Sequence, residues 1–275
     1  TAGATEGGGP DEDDVIEIFD ATQNAFLYFN QSEFLQYLEN QNYTLSNVIV
    51  TLLDDVTIDS TTYAGFQFGG GLFDLNGHTL AISAVPQEGA SVGIATAYGC
   101  TFRNGTIMAK TAFTALFLNQ GAHMLTVENV TVQSSEEITY ALLFSAGQAV
   151  QQMTFSNCIM TENIDTLCYM EGNSGSFKGL NLESGHYTGL EDPLPEYVTA
   201  GTPVENIAGV TEGKVYKSED TTAIIVEDGN AYLYDTLQDA VDAAAGQEEV
   251  TIQLVKQPED AAVVPTGLNV ILTKL

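Results

Sequence analysis

The sequence predicts a mainly β fold: a parallel β-helix with an N-terminal helical cap, followed by a small C-terminal α/β unit. Three observations predict it. Short alternating strands recur with an asparagine or glycine near a fixed place, the recurrences are spaced in the twenties, and one strand–helix–strand segment occurs twice, once on each side of them.

The chain opens with TAGATEGGGPDEDD, which is small, glycine-rich and acidic. Residues 1–24 therefore read as a flexible acidic tether, of the kind left when an export signal or lipid-anchor cysteine is removed, and the chain is expected to be secreted or tethered to the cell surface. Asp11 to Asp14 read as solvating charge. Next, AFLYFNQSEFLQYLENQ (25–41) gives an aromatic strand and an amphipathic helix, with Ser32 as cap and Phe34, Tyr37 and Leu38 inward, leading into NVIVTLLDDVTI. This segment suits a lid, because the open end of a solenoid exposes apolar core and strand edges.

The coils follow, over 25–190 with the lid included. FDLNGHTL (73–80) alternates apolar and polar residues on both sides of Asn76-Gly77. FRNGTI, VENVTV, FSNCIM and FKGLNL share one pattern, and their starts at 102, 127, 155 and 177 lie 25, 28 and 22 residues apart. A β-helix coil needs tight corners with one residue in the left-handed conformation, which asparagine and glycine tolerate best. That ladder reads Asn76, Asn104, Asn129, Asn157 and Gly179, with FDLNGHTL carrying one extra residue, His78. The polar residues before the corners, Arg103, Glu128, Ser156 and Lys178, form an outward column in which Arg103 meets Glu128.

DLNGHTL followed by F-x-N-G-T-I resembles the right-handed parallel β-helix proteins of the pectate-lyase-like superfold, and more narrowly the β-helix modules of bacterial extracellular and surface proteins, over roughly residues 48–190. The resemblance implies the fold and no single activity, since that superfold hosts lyases, glycosidases, adhesins and structural proteins. A lyase reading would make Arg103 the base, with Glu128 holding calcium; residues 89–127, however, contain no Asp or Glu to complete a calcium site. Polygalacturonase-type members carry Gly-His-Gly and Arg-x-Lys signatures on successive coils, and the nearest fragment here is Gly185-His186. Glu136-Glu137, Glu162 and Asp165 read as solvated loop charge.

Composition removes other classes. The 275 residues hold 37 Asp+Glu against 7 Lys+Arg, a net charge of -30, and Arg103 is the one arginine. No basic footprint exists for nucleic acid or anionic lipid, and an anionic polysaccharide would be repelled unless divalent cations intervened. No run of about 18 apolar residues predicts a membrane span. Cys100, Cys158 and Cys168 make no disulfide framework, and Cys158 reads as a buried small hydrophobe. His78 sits in a corner, His123 in a turn, and no histidines share a zinc-ligand spacing. No cofactor is expected; calcium at Asp54-Asp55 is the weak exception, without the D-x-D-x-D-G spacing.

Residues 191–206, with Pro193, Pro195 and Pro203, read as a linker. In 207–275 the motif returns as AYLYDTLQDAVDAAAGQ, with Asp235 and Gln238 suiting a capping box and Leu237, Ala240, Val241 and Ala244 forming the apolar stripe. The final NVILTKL either helps close the second end of the solenoid or presents an edge to a neighbouring molecule. The functional expectation is a non-catalytic extracellular or surface module, a rigid acidic rod for adhesion or display whose partners are a glycan, a surface protein or itself. The alternative is an extracellular polysaccharide lyase or glycoside hydrolase. The outward face of the acid-free stretch 89–127 is a candidate docking surface.

Overall fold

A computed structural model describes residues 9–120, 124–145, 153–171 and 179–275. His123, Phe177 and Lys178 lie outside the described residues. The chain is mainly β and winds into a β-solenoid of about five turns, with two helices among the described residues.

Three parallel sheets line the solenoid. The first stacks Val48–Leu52, 71–74, 100–103, 125–128, Met153–Ser156, Leu180–Leu182 and Val198–Ala200. The second stacks Val56–Asp59, Thr79–Ser83, 105–109, 130–134, Cys158–Met160 and Gly185–Tyr187. The third runs from Thr44–Ser46 through 64–69, 92–97, Phe113–Gln120 and Ile138–Ser145 to Ile164–Glu171.

Alternation decides what each strand buries. Phe73, Phe102, Val127, Phe155 and Leu182 stand in one inward register, all fully buried. The ring of Phe102 lies 5.5 Å from Phe73, 5.2 Å from Phe68 and 5.5 Å from Phe117, an aromatic stack at the centre of the core. Each such side chain contributes about 1.5–3 kcal/mol of burial.

The register corrects the spacing read from sequence. The inward positions 73, 102, 127, 155 and 182 are 29, 25, 28 and 27 residues apart. FKGLNL is therefore five residues out of register with the other repeats: Leu182 lies opposite Phe155, so the place of Asn157 falls on Ser184 and not on Gly179. Gly179 does have a positive φ of 104°, and a Cβ there would also lie 2.4 Å from the Tyr197 carbonyl oxygen. FDLNGHTL is also wider than expected. Asp74 pairs with Arg103 and Thr79 with Thr106, so its corner holds two extra residues, Leu75 and His78. That wide corner presses on Gly105, where a Cβ would lie 2.5 Å from both the His78 carbonyl oxygen and the Leu75 Cβ.

Residues 1–24 are not a tether throughout. Ile16–Asp20 is a strand, antiparallel to both Ala25–Phe29 and Val48–Leu52, with Ile16 and Ile18 fully buried. The alternation of Ile-Glu-Ile-Phe carries it, within an acidic surrounding that hides the pattern. The helix Gln31–Asn40 then covers the end of the coil with Phe34 and Leu38. Its cap is Asn30 and not Ser32: the Asn30 side chain accepts from the Ser32 and Glu33 amides while Glu33 reaches back to the Asn30 amide.

The expected linker 191–206 also contains structure. Val198–Ala200 adds a parallel rung to Leu180–Leu182, and Thr202–Val204 pairs antiparallel with Lys214–Lys217, which in turn closes on Gly185–Tyr187. Beyond it, a four-stranded sheet has the spatial order Asn230–Tyr234, Ala223–Glu227, Glu249–Leu254, Asn269–Lys274. The first pair is an antiparallel hairpin through Asp228-Gly229, the second pair is antiparallel and the third parallel. The N-terminal cap has the same order and the same senses: Ala25–Phe29, Ile16–Asp20, Val48–Leu52, then 71–74. The helix Leu237–Ala243 holds the place of Gln31–Asn40, with Ala240 and Val241 buried. Its cap is Thr236, which accepts from the Asp239 amide; the Asp235–Gln238 box does not form.

Candidate functional site

On the outer face of the first sheet, Asp74, Arg103, Glu128 and Ser156 stand in register. Arg103 and Glu128 are neighbours, yet the guanidinium goes the other way. Its Nε and Nη2 both donate to Asp74 Oδ2 at 2.8 Å. The second Asp74 oxygen accepts from the Asn76 amide at 3.0 Å and from Asn104 Nδ2 at 3.2 Å. The single arginine is thus bound by a carboxylate that sequence reading left out of the column. Asp74 occupies the place in the first wide corner that Arg103 occupies in the next, which is the signal that could have found it.

From Asp74 the corner ladder continues as side-chain amide bonds. Asn129 Nδ2 donates to Asn104 Oδ1 at 3.2 Å, and Asn157 Nδ2 to Asn129 Oδ1 at 2.9 Å. The φ angles of Asn76, Asn104, Asn129 and Asn157 are 51°, 61°, 53° and 50°. Asn76 stands outside the amide chain and donates to the Leu52 carbonyl. These residues hold the corners in register, and Asn129 and Asn157 also line an open cleft.

The two extra corner residues have one further effect. His78 is carried toward Asp55, its Nδ1 3.8 Å from Oδ1, and the ligand atoms of Asp54, Asp55 and His78 lie within 4.8 Å of one another. Asp55 Oδ1 already accepts from the Thr79 amide at 2.7 Å and Asp54 Oδ1 from the Asp55 amide at 2.7 Å. These donors could hold a divalent cation only at an exposed surface corner.

The remaining sequence-marked groups are structural. Cys158 is fully buried and donates to the Val127 carbonyl; burial pushes its thiol, and that of Cys100, up to about 12, and Cys168 higher still. Such thiols are not nucleophiles at neutral pH. His186 is buried where the solenoid meets the C-terminal unit: Nε2 bonds the Glu212 carbonyl at 2.7 Å and Nδ1 accepts from the Ala231 amide at 3.2 Å. Those partners fix a neutral tautomer with the proton on Nε2. Burial lowers its pKa, opposed by the bond to Glu212.

Comparison with protein-family models, with curated proteins and with solved structures finds no match. The geometry alone therefore carries the functional argument.

One cleft was not visible in sequence. Between the coil corners and the C-terminal unit lies a space of about 410 Å³ lined by five carboxylates, Glu128, Glu183, Asp220, Asp235 and Asp239. Burial, then the charges of Asp220 and Asp239, raise the Asp235 pKa above the ordinary carboxylate value. The five come from segments up to about a hundred residues apart, so no local motif announces them. The acid-free stretch contributes instead to an apolar cluster on the outer face of the third sheet. Val92, Ala95, Ala115 and Leu118 pack there with Ala64 and with partly buried Tyr140 and Leu143, beside the stacked pair Tyr140–Tyr169.

Proposed function

We propose that the chain is a non-catalytic module of an extracellular or cell-surface protein, a rigid acidic β-helix for display or adhesion that contacts a glycan or a surface protein. The observation that carries this reading is the repeated cap. A unit with the topology that begins the solenoid occurs again beyond its last coil, as expected of modules arranged in series along a rod. The coils supply stiffness through the aromatic stack and the asparagine ladder. The charge of -30 keeps such rods soluble and apart from anionic surfaces.

A second reading has one specific observation behind it. In the acidic cleft, Asp235 is held toward its protonated form beside ionisable neighbours, the arrangement by which glycoside hydrolases separate an acid from a base. A lyase has less support, because Arg103 is bound to Asp74. The test is a depolymerisation screen on neutral and uronic-acid polysaccharides, with calcium and with chelator, scored for new reducing ends and unsaturated products, alongside glycan-binding measurements. Binding without product supports the adhesion module. Product that disappears in Asp235→Asn overturns it in favour of the hydrolase.

A further inference from the structure

We propose that the junction between the coils and the C-terminal unit is an acid-sensitive latch, in which a proton taken up at His186 breaks its bond to Ala231 and lets the four-stranded unit swing away from the last coil about the connector 218–222. The inference stands whether or not the module is catalytic.

His186 sits where the two parts meet. It lies in register between Ile159 and Val215, with 2% of its surface exposed. Nδ1 accepts at 3.2 Å from the amide of Ala231, a fully buried residue of the unit's strand Asn230–Tyr234, while Nε2 donates to the Glu212 carbonyl at 2.7 Å. Beside this pair the side chains of Thr161 and Asn230 meet at 2.6 Å, and Val215 packs with Ile224, Ala231 and Leu233.

A neutral imidazole offers one acceptor, and Ala231 uses it. With a second proton both ring nitrogens are donors. Two N–H groups then face each other, the Ala231 amide loses its partner in a buried place, and a charge is buried with them. The titratable groups on the surrounding elements do not compensate. Cys158, Tyr187 and Tyr216 point into the solenoid core, and alternation turns Tyr232 and Tyr234 to the helix side of their strand. Lys214 pairs with Asp192 at 3.4 Å; Lys217, on the Val215 face of its strand, disfavours another cation. The side chains of Glu162 and Glu212 are exposed.

Opening removes these penalties and returns the imidazole to its ordinary value of about 6.5. Burial holds the docked value lower, so the open form binds more protons between the two, and the opening constant rises as pH falls by up to about tenfold per unit. The acidic cleft acts in the same direction while ionised, because Glu128 and Glu183 of the coils share it with Asp220, Asp235 and Asp239. Asp235 limits the effect: burial, then the charges of Asp220 and Asp239, raise its pKa in the docked form, so its protonation at the acid end favours docking.

The test is amide hydrogen exchange of the whole chain from about pH 7.5 to about pH 5, corrected for intrinsic rates. The Ala231 amide is expected to lose protection below about pH 6.5, by up to about tenfold per unit. Amides bonded within the unit, such as Thr222 to Tyr234, and within the coils, such as Leu180 to Tyr197, are expected to keep theirs. Leu233→Cys places a thiol that the swing exposes, and its alkylation rate per thiolate is expected to rise by the same factor. His186→Gln carries a donor and an acceptor without titrating in this range, and is expected to give a flat response. If that variant does not fold, the ring nitrogen shifts of His186 in the unaltered chain supply the check, Nδ1 gaining its proton over the range in which Ala231 loses protection. Constant Ala231 protection overturns the proposal, as does a loss shared equally by Thr222 and Leu180. So does a Leu233→Cys thiol that stays shielded while Ala231 exchanges, or an unchanged slope in folded His186→Gln.

Discussion

Truncating Phe102 tests the coil register most directly. Its side chain is fully buried, with rings 5.2 Å (Phe68), 5.5 Å (Phe73) and 5.5 Å (Phe117) away. Removing a buried phenylalanine costs about 3–5 kcal/mol. Three aromatic contacts at about 0.5–1.5 kcal/mol each place Phe102→Ala at the upper end of that range. Phe102→Leu keeps most of the volume and loses the ring contacts, so about 1.5–2.5 kcal/mol is expected. The flanking Thr101 faces outward in register with Leu72 and Thr126, and Thr101→Ala is expected to stay within about 0.5 kcal/mol. Urea unfolding followed by circular dichroism measures all three, with the midpoint shifting at constant slope. A strand slipped by one residue would exchange inward and outward positions. A mild Phe102→Ala beside a severe Thr101→Ala would therefore refute the register and, with it, the stacked core.

Three other outcomes follow from the same coordinates. The buried thiols of Cys100, Cys158 and Cys168, all raised by burial, are expected to resist iodoacetamide at pH 8 until denaturant is added; alkylation of any of them in the folded chain contradicts their packing. His186 has a folded pKa below its unfolded value of 6.5, so between those two values the unfolded chain binds more protons and stability falls as pH drops. That loss begins near pH 6.5, grows until the lowered folded pKa is passed, and should shrink in His186→Asn; an unchanged pH profile would show that the imidazole does not titrate on unfolding. Arg103→Ala is expected to cost about 0.5–1 kcal/mol through the half-exposed pair with Asp74, and Glu128→Ala less than about 0.5 kcal/mol. The reverse order in chemical denaturation would make Glu128 the true partner.

The solenoid was legible because its corners are chemical. Asn104, Asn129 and Asn157 recur where the backbone needs a positive φ, and each is followed within a few residues by inward aliphatics. The pattern failed at Gly179, which has a positive φ and a close approach to Tyr197 but stands ahead of the rung, where Ser184 holds the corner place. It failed again at Ile16–Asp20, where two buried isoleucines carry a strand inside an acidic run. Helix caps shifted by one or two residues because Asn30, Ser32, Thr236 and Asp235 all offer side-chain acceptors, and only backbone geometry chooses among them. The acidic cleft was not legible at all, being assembled from Glu128, Glu183, Asp220, Asp235 and Asp239 by the docking of one unit on another.

The two caps also explain how this solenoid ends its sheets. Gln31 donates to the Thr57 carbonyl at 2.6 Å and accepts the Thr57 amide at 3.0 Å, so that its amide group stands in for one residue of a missing strand. Gln253 does the same for Ala208, at 2.8 and 2.9 Å, and Gln238 for Val263, at 2.7 and 3.3 Å. A glutamine side chain can satisfy a lone backbone pair because its terminal amide carries the same donor and acceptor as the main chain. It cannot satisfy a strand of six residues, which needs alternating groups along its length. The strand 71–74 of the N-terminal cap meets that need with the next rung, 100–103, which pairs along its whole length. The physical distinction between the ways this chain closes an edge is therefore one of length: a lone backbone pair takes a side chain, and a whole strand takes a strand.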